Sequence, residues 1–232
     1  MMAEDPNAVP IRPAATVIPL RDGPGGLEVL VVRRDEGLAF HGGSWVFPGG
    51  RVDDHELAAA ADDLAAARLA AVREAHEEAG LVIDPGQLVT LSHWTTPLGR
   101  NRRFATWFFV VPAPDGEVVI DDGEIRAYEW HTIGSAVDGC RTGTVNLAAP
   151  TYVSLLRLLP HATVADALTA TAARADEVFL PRLHRDGDTV YSVYQDDPAY
   201  ESGDLAAPGA RHRMMMLDVG YDYINEQAHH QP

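Results

Sequence analysis

The sequence predicts an α+β protein built as an α/β/α sandwich. Three observations carry this. Apolar, β-branched runs at 14–20 and 27–34, and again at 86–97 and 102–114, flank one long Ala-rich stretch without Gly or Pro at 56–79. Further helical patterning appears only later, after residue 148, so strands and helices alternate around what reads as a central sheet. At 232 residues with 46% hydrophobic composition, the chain is long and apolar enough for a real core with additions to it.

Taken in order, residues 1–13 read as a flexible tail. "AATVIPL" and "LEVLVVRR" read as a hairpin about the turn "RDGPGG". "GLAFHGGSWVFPGGRVDD" reads as a loop with a short strand at 45–47. The helix over 56–79 ends at Gly80, a natural stop. "GQLVTLSHWTTP" and "RRFATWFFVVPAP" read as strands, and "DDGEIRAYEWHT" as a loop followed by a short strand. "APTYVSLLRLLPHATVADALTATAARA" reads as two helices around Pro160, the second starting near Thr163. "EVFLPRLHRDGDTVYSVY" reads as a hairpin turning at Asp186-Gly187, and "ARHRMMMLDV" as a further strand. The expected division is a tail at 1–13, a main domain at 14–174 with its helices, and a β-containing extension at 175–232 whose end is disordered.

Composition excludes several chemistries. The only cysteine is Cys140, so an intrachain disulfide and a cysteine zinc site are out. All 18 basic residues are arginine, which removes Walker-type phosphate loops and Schiff-base lysines. A net charge of −16 argues against nucleic acid as a partner, since that binding rests on neutralising phosphates. The N-terminal stretch has neither the charged start nor the apolar run of a signal peptide, and no apolar run is long enough to span a bilayer. The expectation is a cytoplasmic protein without a membrane partner.

The octet "REAHEEAG", Arg73 to Gly80, crowds three glutamates onto a helix end. Glu74, Glu77 and Glu78 stand at i, i+3 and i+4 and share a face, with Val72, Ala75, His76 and Ala79 expected opposite. Like charges at this spacing repel, and carboxylates are ill placed at a helix C-terminus. A divalent cation would relieve both penalties, and hard oxygen donors suit Mg²⁺ or Mn²⁺. A solvated acidic face accounts for these eight residues as well as a metal site does.

The upstream residues "FPGGRVDDHE" shift that balance. Phe47-Pro48-Gly49-Gly50, then Glu56 after five residues, then Arg73-Glu74-Ala75-His76-Glu77-Glu78-Ala79-Gly80-Leu81 resemble the box of the Nudix hydrolases. The resemblance implies a Nudix sandwich with a mixed sheet. It also implies metal-dependent hydrolysis of a nucleoside diphosphate linked to a further group, with Glu74, Glu77 and Glu78 as metal ligands and Arg73 in the catalytic set. One departure is plain: 16 residues separate Glu56 from Arg73 where the family has seven. An unbroken helix would hold them roughly 25 Å apart. The family's Glu–Arg pair therefore requires the insertion to bulge, with a break near Asp62-Asp63, or else Arg73 turns to Glu77 at i+4.

The family often adds a carboxylate from a later loop. Glu124 is the candidate, with Asp121 and Asp122 as rivals. The segment "VVRRDEGLAFHGGSWVFPGGRVD", together with "TTPLGRNRRFATWFFVV" and "NLAAPTY", resembles the coenzyme A and acyl-coenzyme A diphosphatase branch whose box carries an insertion. A small nucleotide substrate is thus implied, with ADP-ribose, NADH or a non-catalytic ligand sensor as alternatives. Candidate substrate contacts are Gly49, Gly50, Arg34, Arg100, Arg102 and Arg103, the arginines because a guanidinium recognises phosphate bidentately. Arg33 and Arg34 alternate across a strand, so at most one faces the site. His41 reads as a loop histidine, Trp45 and Trp94 as core, Met214–Met216 as strand packing and Cys140 as inert. Nudix proteins are often dimeric, and the sequence leaves a homodimer open.

Overall fold

The structure, a computed structural model, describes residues 9–38, 41–121 and 123–226. The first eight residues of the expected tail, Asp122 and the expected disordered end at 227–232 lie outside the described residues.

The main sheet has eight strands. They are β1 (Ile11–Gly23), β2 (Gly26–Arg34), β3 (Trp45–Val46), β4 (Gly49–Arg51), β5 (Val89–Thr95), β6 (Arg103–Pro112), β7 (Ile125–Thr132) and β8 (Glu177–Phe179). The order is β3-β2-β1-β6-β5-β8, with β4 also paired to β1 and β7 to β2. The sheet is mixed. β1 and β6 run parallel through ten register pairs, Ile11↔Arg103 to Leu20↔Pro112, and β5 and β8 are also parallel. The hairpin β1–β2 forms as expected and closes at Gly23↔Gly26.

Alternation along the central strands builds a core on each face. Val17, Leu30, Phe109 and Val111 point to one face, against helix α2 (Asp63–Ala79). Ile18, Val29, Val31, Phe108 and Val110 point to the other, against α3 (Ile133–Thr142) and α4 (Ala149–Leu158), with α5 (Val164–Ala172) beside them. The result is the α/β/α sandwich. A second, four-stranded antiparallel sheet follows, in the order β12-β11-β10-β9. It consists of β9 (Arg182–Asp186), β10 (Thr189–Val193), β11 (His212–Met216) and β12 (Tyr221–Asn225), with a short helix α6 (Ala199–Ser202) between β10 and β11.

The structure corrects several expectations. β1 begins at Ile11, inside the expected tail, because its first residues pair with β6, a partner some 90 positions away. The helix expected at 56–79 is two, α1 (Asp54–Ala59) and α2, because the Asp62 side chain accepts the Ala65 N–H and starts a new helix. α3 has no counterpart in the sequence reading. Its glycines look like breakers, but Thr132 caps it and Ile133, Ala136, Val137 and Cys140 are buried along it. The strand expected to be short, β7, runs eight residues along β2. β8 lies past residue 174 yet belongs to the main sheet, and β12 adds a strand beyond the expected one. On α2, His76 is exposed and Glu78 is buried beside Ala75 and Ala79, so the carboxylates do not all lie opposite the apolar stripe. No helix among the described residues is long and apolar enough to cross a membrane.

Candidate active site

The "FPGG" loop is fastened to β1. The Val17 N–H and the Thr16 hydroxyl both donate to the Pro48 carbonyl, at 2.9 and 2.6 Å. A side chain at Gly49 would come within 2.5 Å of the Ala15 carbonyl oxygen, so only glycine lets the loop lie this close. The loop in turn presents the Gly49 N–H to the Glu78 carboxylate at 2.8 Å. A β-carbon at Gly50 would sit 2.3 Å from the Glu74 carboxylate, so this glycine leaves room for the acid. The two glycines expected to contact substrate thus first shape the positions of two box glutamates.

Arg73 is the hub of the box. Its guanidinium donates to Glu56 Oε1 at 2.9 Å, to Glu74 at 2.8 Å, to Glu77 at 3.0 Å and to the Arg51 carbonyl at 2.9 Å. Both pairings considered from the sequence are made together. The break between α1 and α2 folds the insertion back, and Glu56 ends 2% exposed with its second oxygen accepting the Asp53 N–H. Burial works against the charge on Arg73, but its hydrogen bonds to Glu56 and Glu74 outweigh it and hold the group firmly cationic.

The box carboxylates differ in environment. Glu78 is buried, and burial pushes its carboxyl up to about 8, against the opposing pull of the Gly49 N–H and Arg34. Burial also raises Glu74, with Arg73 working the other way. The Glu77 side chain is 56% exposed. Arg34 lies between Glu78, 3.6 Å away, and Glu124, to which it donates at 3.1 Å. The late-loop candidate is therefore brought to the box through an arginine. Its rival Asp121 instead accepts the backbone N–H groups of Glu124 and Ile125, fixing the loop.

These groups open into one cavity of about 1400 Å³. Glu74, Glu77, Glu78, Glu124, Arg73, Gly49, Gly50 and Arg34 line it, and so do Arg100, Arg102 and Arg103. Arg33 does not line it and is exposed, as the strand alternation requires. The sequence reading missed Arg12, Arg51 and Asp53, which also line it, and passed over His41. His41 borders the cavity from an exposed loop position, and desolvation of its ring there, with Arg34 and Arg100 nearby, holds its imidazole down to about 4, so it is neutral at pH 7. Trp94 and Met214 are buried core residues as expected, but both also border the cavity. Cys140 is buried.

A model of the NUDIX domain family matches residues 10–148, well over half of the chain. The chain belongs to the Nudix family. Among solved structures it is similar to a Nudix hydrolase from Alicyclobacillus acidocaldarius, at 24% identity and a TM-score of 0.66, over 72% of this chain and 99% of that one. It is also similar to a MutT Nudix hydrolase from Burkholderia pseudomallei, at 20% identity and a TM-score of 0.49, over 63% and 97%. A comparison with functionally curated proteins finds no match. The first neighbour is covered almost entirely, so over a quarter of this chain has no counterpart in it. As a Nudix hydrolase, the chain belongs with enzymes that generally split the diphosphate of nucleoside diphosphate derivatives with divalent metals such as Mg²⁺ or Mn²⁺.

The donor set fits such a metal. It offers only hard oxygens, on one helix, and burial raises two of the three carboxyls, which signals too little positive charge around them. As arranged, no three His, Cys, Asp or Glu side chains among the described residues converge on one point, since Arg73 engages Glu74 and Glu77 while Glu78 faces Gly49. Joint binding by all three requires Glu74 and Glu77 to turn from Arg73.

Proposed function

We propose that this Nudix hydrolase cleaves the diphosphate of coenzyme A or an acyl-coenzyme A, releasing 3′,5′-ADP and a phosphopantetheine. The observation that carries this is the charge of the cavity. Seven of the 18 arginines line it against six carboxylates, in a chain whose net charge is −16. Arginine gathered here against the sign of the whole chain suits a substrate with phosphate beyond the diphosphate, as the 3′-phosphate of coenzyme A supplies. Arg100 and Arg102, on the exposed loop before β6, are the residues for that outer phosphate. Arg103 is held by the Thr96 carbonyl at 3.0 Å and shapes the same loop.

Glu74, Glu77 and Glu78 would hold Mg²⁺ or Mn²⁺, which supplies charge neutralisation at the diphosphate and an activated water. The rest falls to the chain itself. Arg73, held by Glu56 and the Arg51 carbonyl, ties the helix end to the insertion when Glu74 and Glu77 turn to the ion. The Gly49 N–H orients Glu78. Arg34 keeps Glu124 beside the site, where its exposed carboxylate is placed to accept a proton.

The test is a panel of coenzyme A, ADP-ribose, NADH and nucleoside triphosphates, incubated with the purified protein and Mg²⁺ or Mn²⁺. Release of 3′,5′-ADP is expected. Turnover of ADP-ribose or NADH without coenzyme A would replace the substrate, and turnover of none would move weight to a ligand sensor.

A further inference from the structure

The cavity has two chemically different halves. The arginines and carboxylates all come from residues up to Glu124, and from Ala148 onward no charged residue among those described lines it. The uncharged half includes the C-terminal sheet, through Leu183 on β9, Ser192 on β10, Tyr194 just past β10, and Met214 and Met216 on β11. Strand alternation makes this a face, not a scatter of residues. Met215 and Tyr191, between these positions, line a separate hollow with Ile224.

One polar group on this face is unsatisfied. The Tyr194 ring is clasped by Trp94 and Phe179, with centroids 5.8 and 5.2 Å away, so its position is fixed. Its hydroxyl is buried and makes no hydrogen bond of good geometry, although the Ser192 hydroxyl lies nearby. A buried hydroxyl without a partner is unfavourable, and a ligand atom is a natural means of satisfying it.

We propose that this face of the C-terminal sheet is the subsite for the non-nucleotide part of the substrate. It takes an uncharged, largely apolar chain carrying an amide or similar group, which the Tyr194 hydroxyl bonds. A second sugar, with a hydroxyl on most carbons, would leave its polar groups unmatched against Met214, Met216 and Leu183. The inference rests on the diphosphatase reading above and names what that reading leaves open: the wall that recognises the leaving half.

The experiment uses the full chain with three substitutions. Met216→Asp puts a charge on the partly exposed edge of the face, Met215→Asp puts the same charge on the opposite face, and Tyr194→Phe removes only the hydroxyl. Circular dichroism melts establish that each folds. Calorimetry without metal measures binding of phosphopantetheine and of 3′,5′-ADP, and kinetics with Mg²⁺ compare coenzyme A with octanoyl-coenzyme A. Met216→Asp is expected to weaken phosphopantetheine binding and raise KM for octanoyl-coenzyme A by about tenfold or more, leaving 3′,5′-ADP binding unchanged. Tyr194→Phe is expected to raise KM by about fivefold with kcat retained. Met215→Asp should match the wild type. If Met216→Asp behaves like Met215→Asp, or Tyr194→Phe binds phosphopantetheine as the wild type does, the subsite is overturned while the diphosphatase reading stands. A wild type that neither binds phosphopantetheine nor cleaves coenzyme A overturns both.

Discussion

Glu78 in the box and Asp197 in the C-terminal region are both buried carboxylates, at 6% and 4% exposure, and they are treated in opposite ways. Asp197 is saturated. Both its oxygens meet the Arg213 guanidinium, at 2.8 and 2.7 Å, and they also accept the Ala199 and His212 N–H groups. Burial alone would raise it, but these bonds reverse the effect and hold its carboxyl below the ordinary value. Glu78 has one N–H and an arginine 3.6 Å away, and burial pushes its carboxyl up. On the proposed function, the difference separates a charge buried for structure from a charge kept short of partners for a ligand. Asp197 has a complete shell, and Glu78 has one left open for a cation to fill.

Swapping each acid for its amide tests this most severely. Glu78→Gln should lower kcat by roughly 10²–10⁴-fold while leaving thermal stability equal or higher, since it removes an uncompensated charge. Asp197→Asn should do the reverse, costing about 3–5 kcal/mol in a urea titration by stranding Arg213, with kcat of the folded protein retained. Equal stability losses in the two variants would dissolve the distinction. Next, saturating Mg²⁺ at about 100-fold over its Kd should stabilise the wild type by about 2.7 kcal/mol, and Glu78→Gln by clearly less. Differential scanning calorimetry with and without chelator reads this out.

The smallest effect is in pH. In chelator, the contribution of Glu78 to stability is fully present below its unfolded value of 4.5 and declines as pH rises toward about 8, because the folded state favours the proton. Asp197 runs the other way. Its contribution is present above its unfolded value of 3.8 and is lost as pH falls below it. Glu78→Gln should flatten the upper window alone, and Asp197→Asn the lower one alone, in denaturation midpoints measured across pH.

What the sequence showed was what short segments decide. "FPGG" and "REAHEEAG" were legible because a close backbone approach and a helix face are local facts, and Gly80 does adopt the left-handed cap that ends α2. The Glu56–Arg73 pair was legible as a requirement, and the break from Ala60 to Asp62 satisfies it. Arg12 was not legible, because it reaches the cavity only through the pairing of β1 with β6. His41 was read as a loop residue because nothing nearby in sequence announces that Arg34 and the distant Arg100 will surround it. The role of the C-terminal sheet was equally hidden. Alternation predicted that Met214 and Met216 would share a face, but not what that face would meet.

The parallel ladder between β1 and β6 also sets an order of events during synthesis. Ten residues of β1 wait for partners 92 positions downstream. At about 5–20 residues per second, that edge of the first strand stays bare on the ribosome for roughly 5–20 s. An unpaired apolar edge is where a nascent chain meets its neighbours or a chaperone. The arginines and glutamates of the cavity cannot assemble until that wait is over.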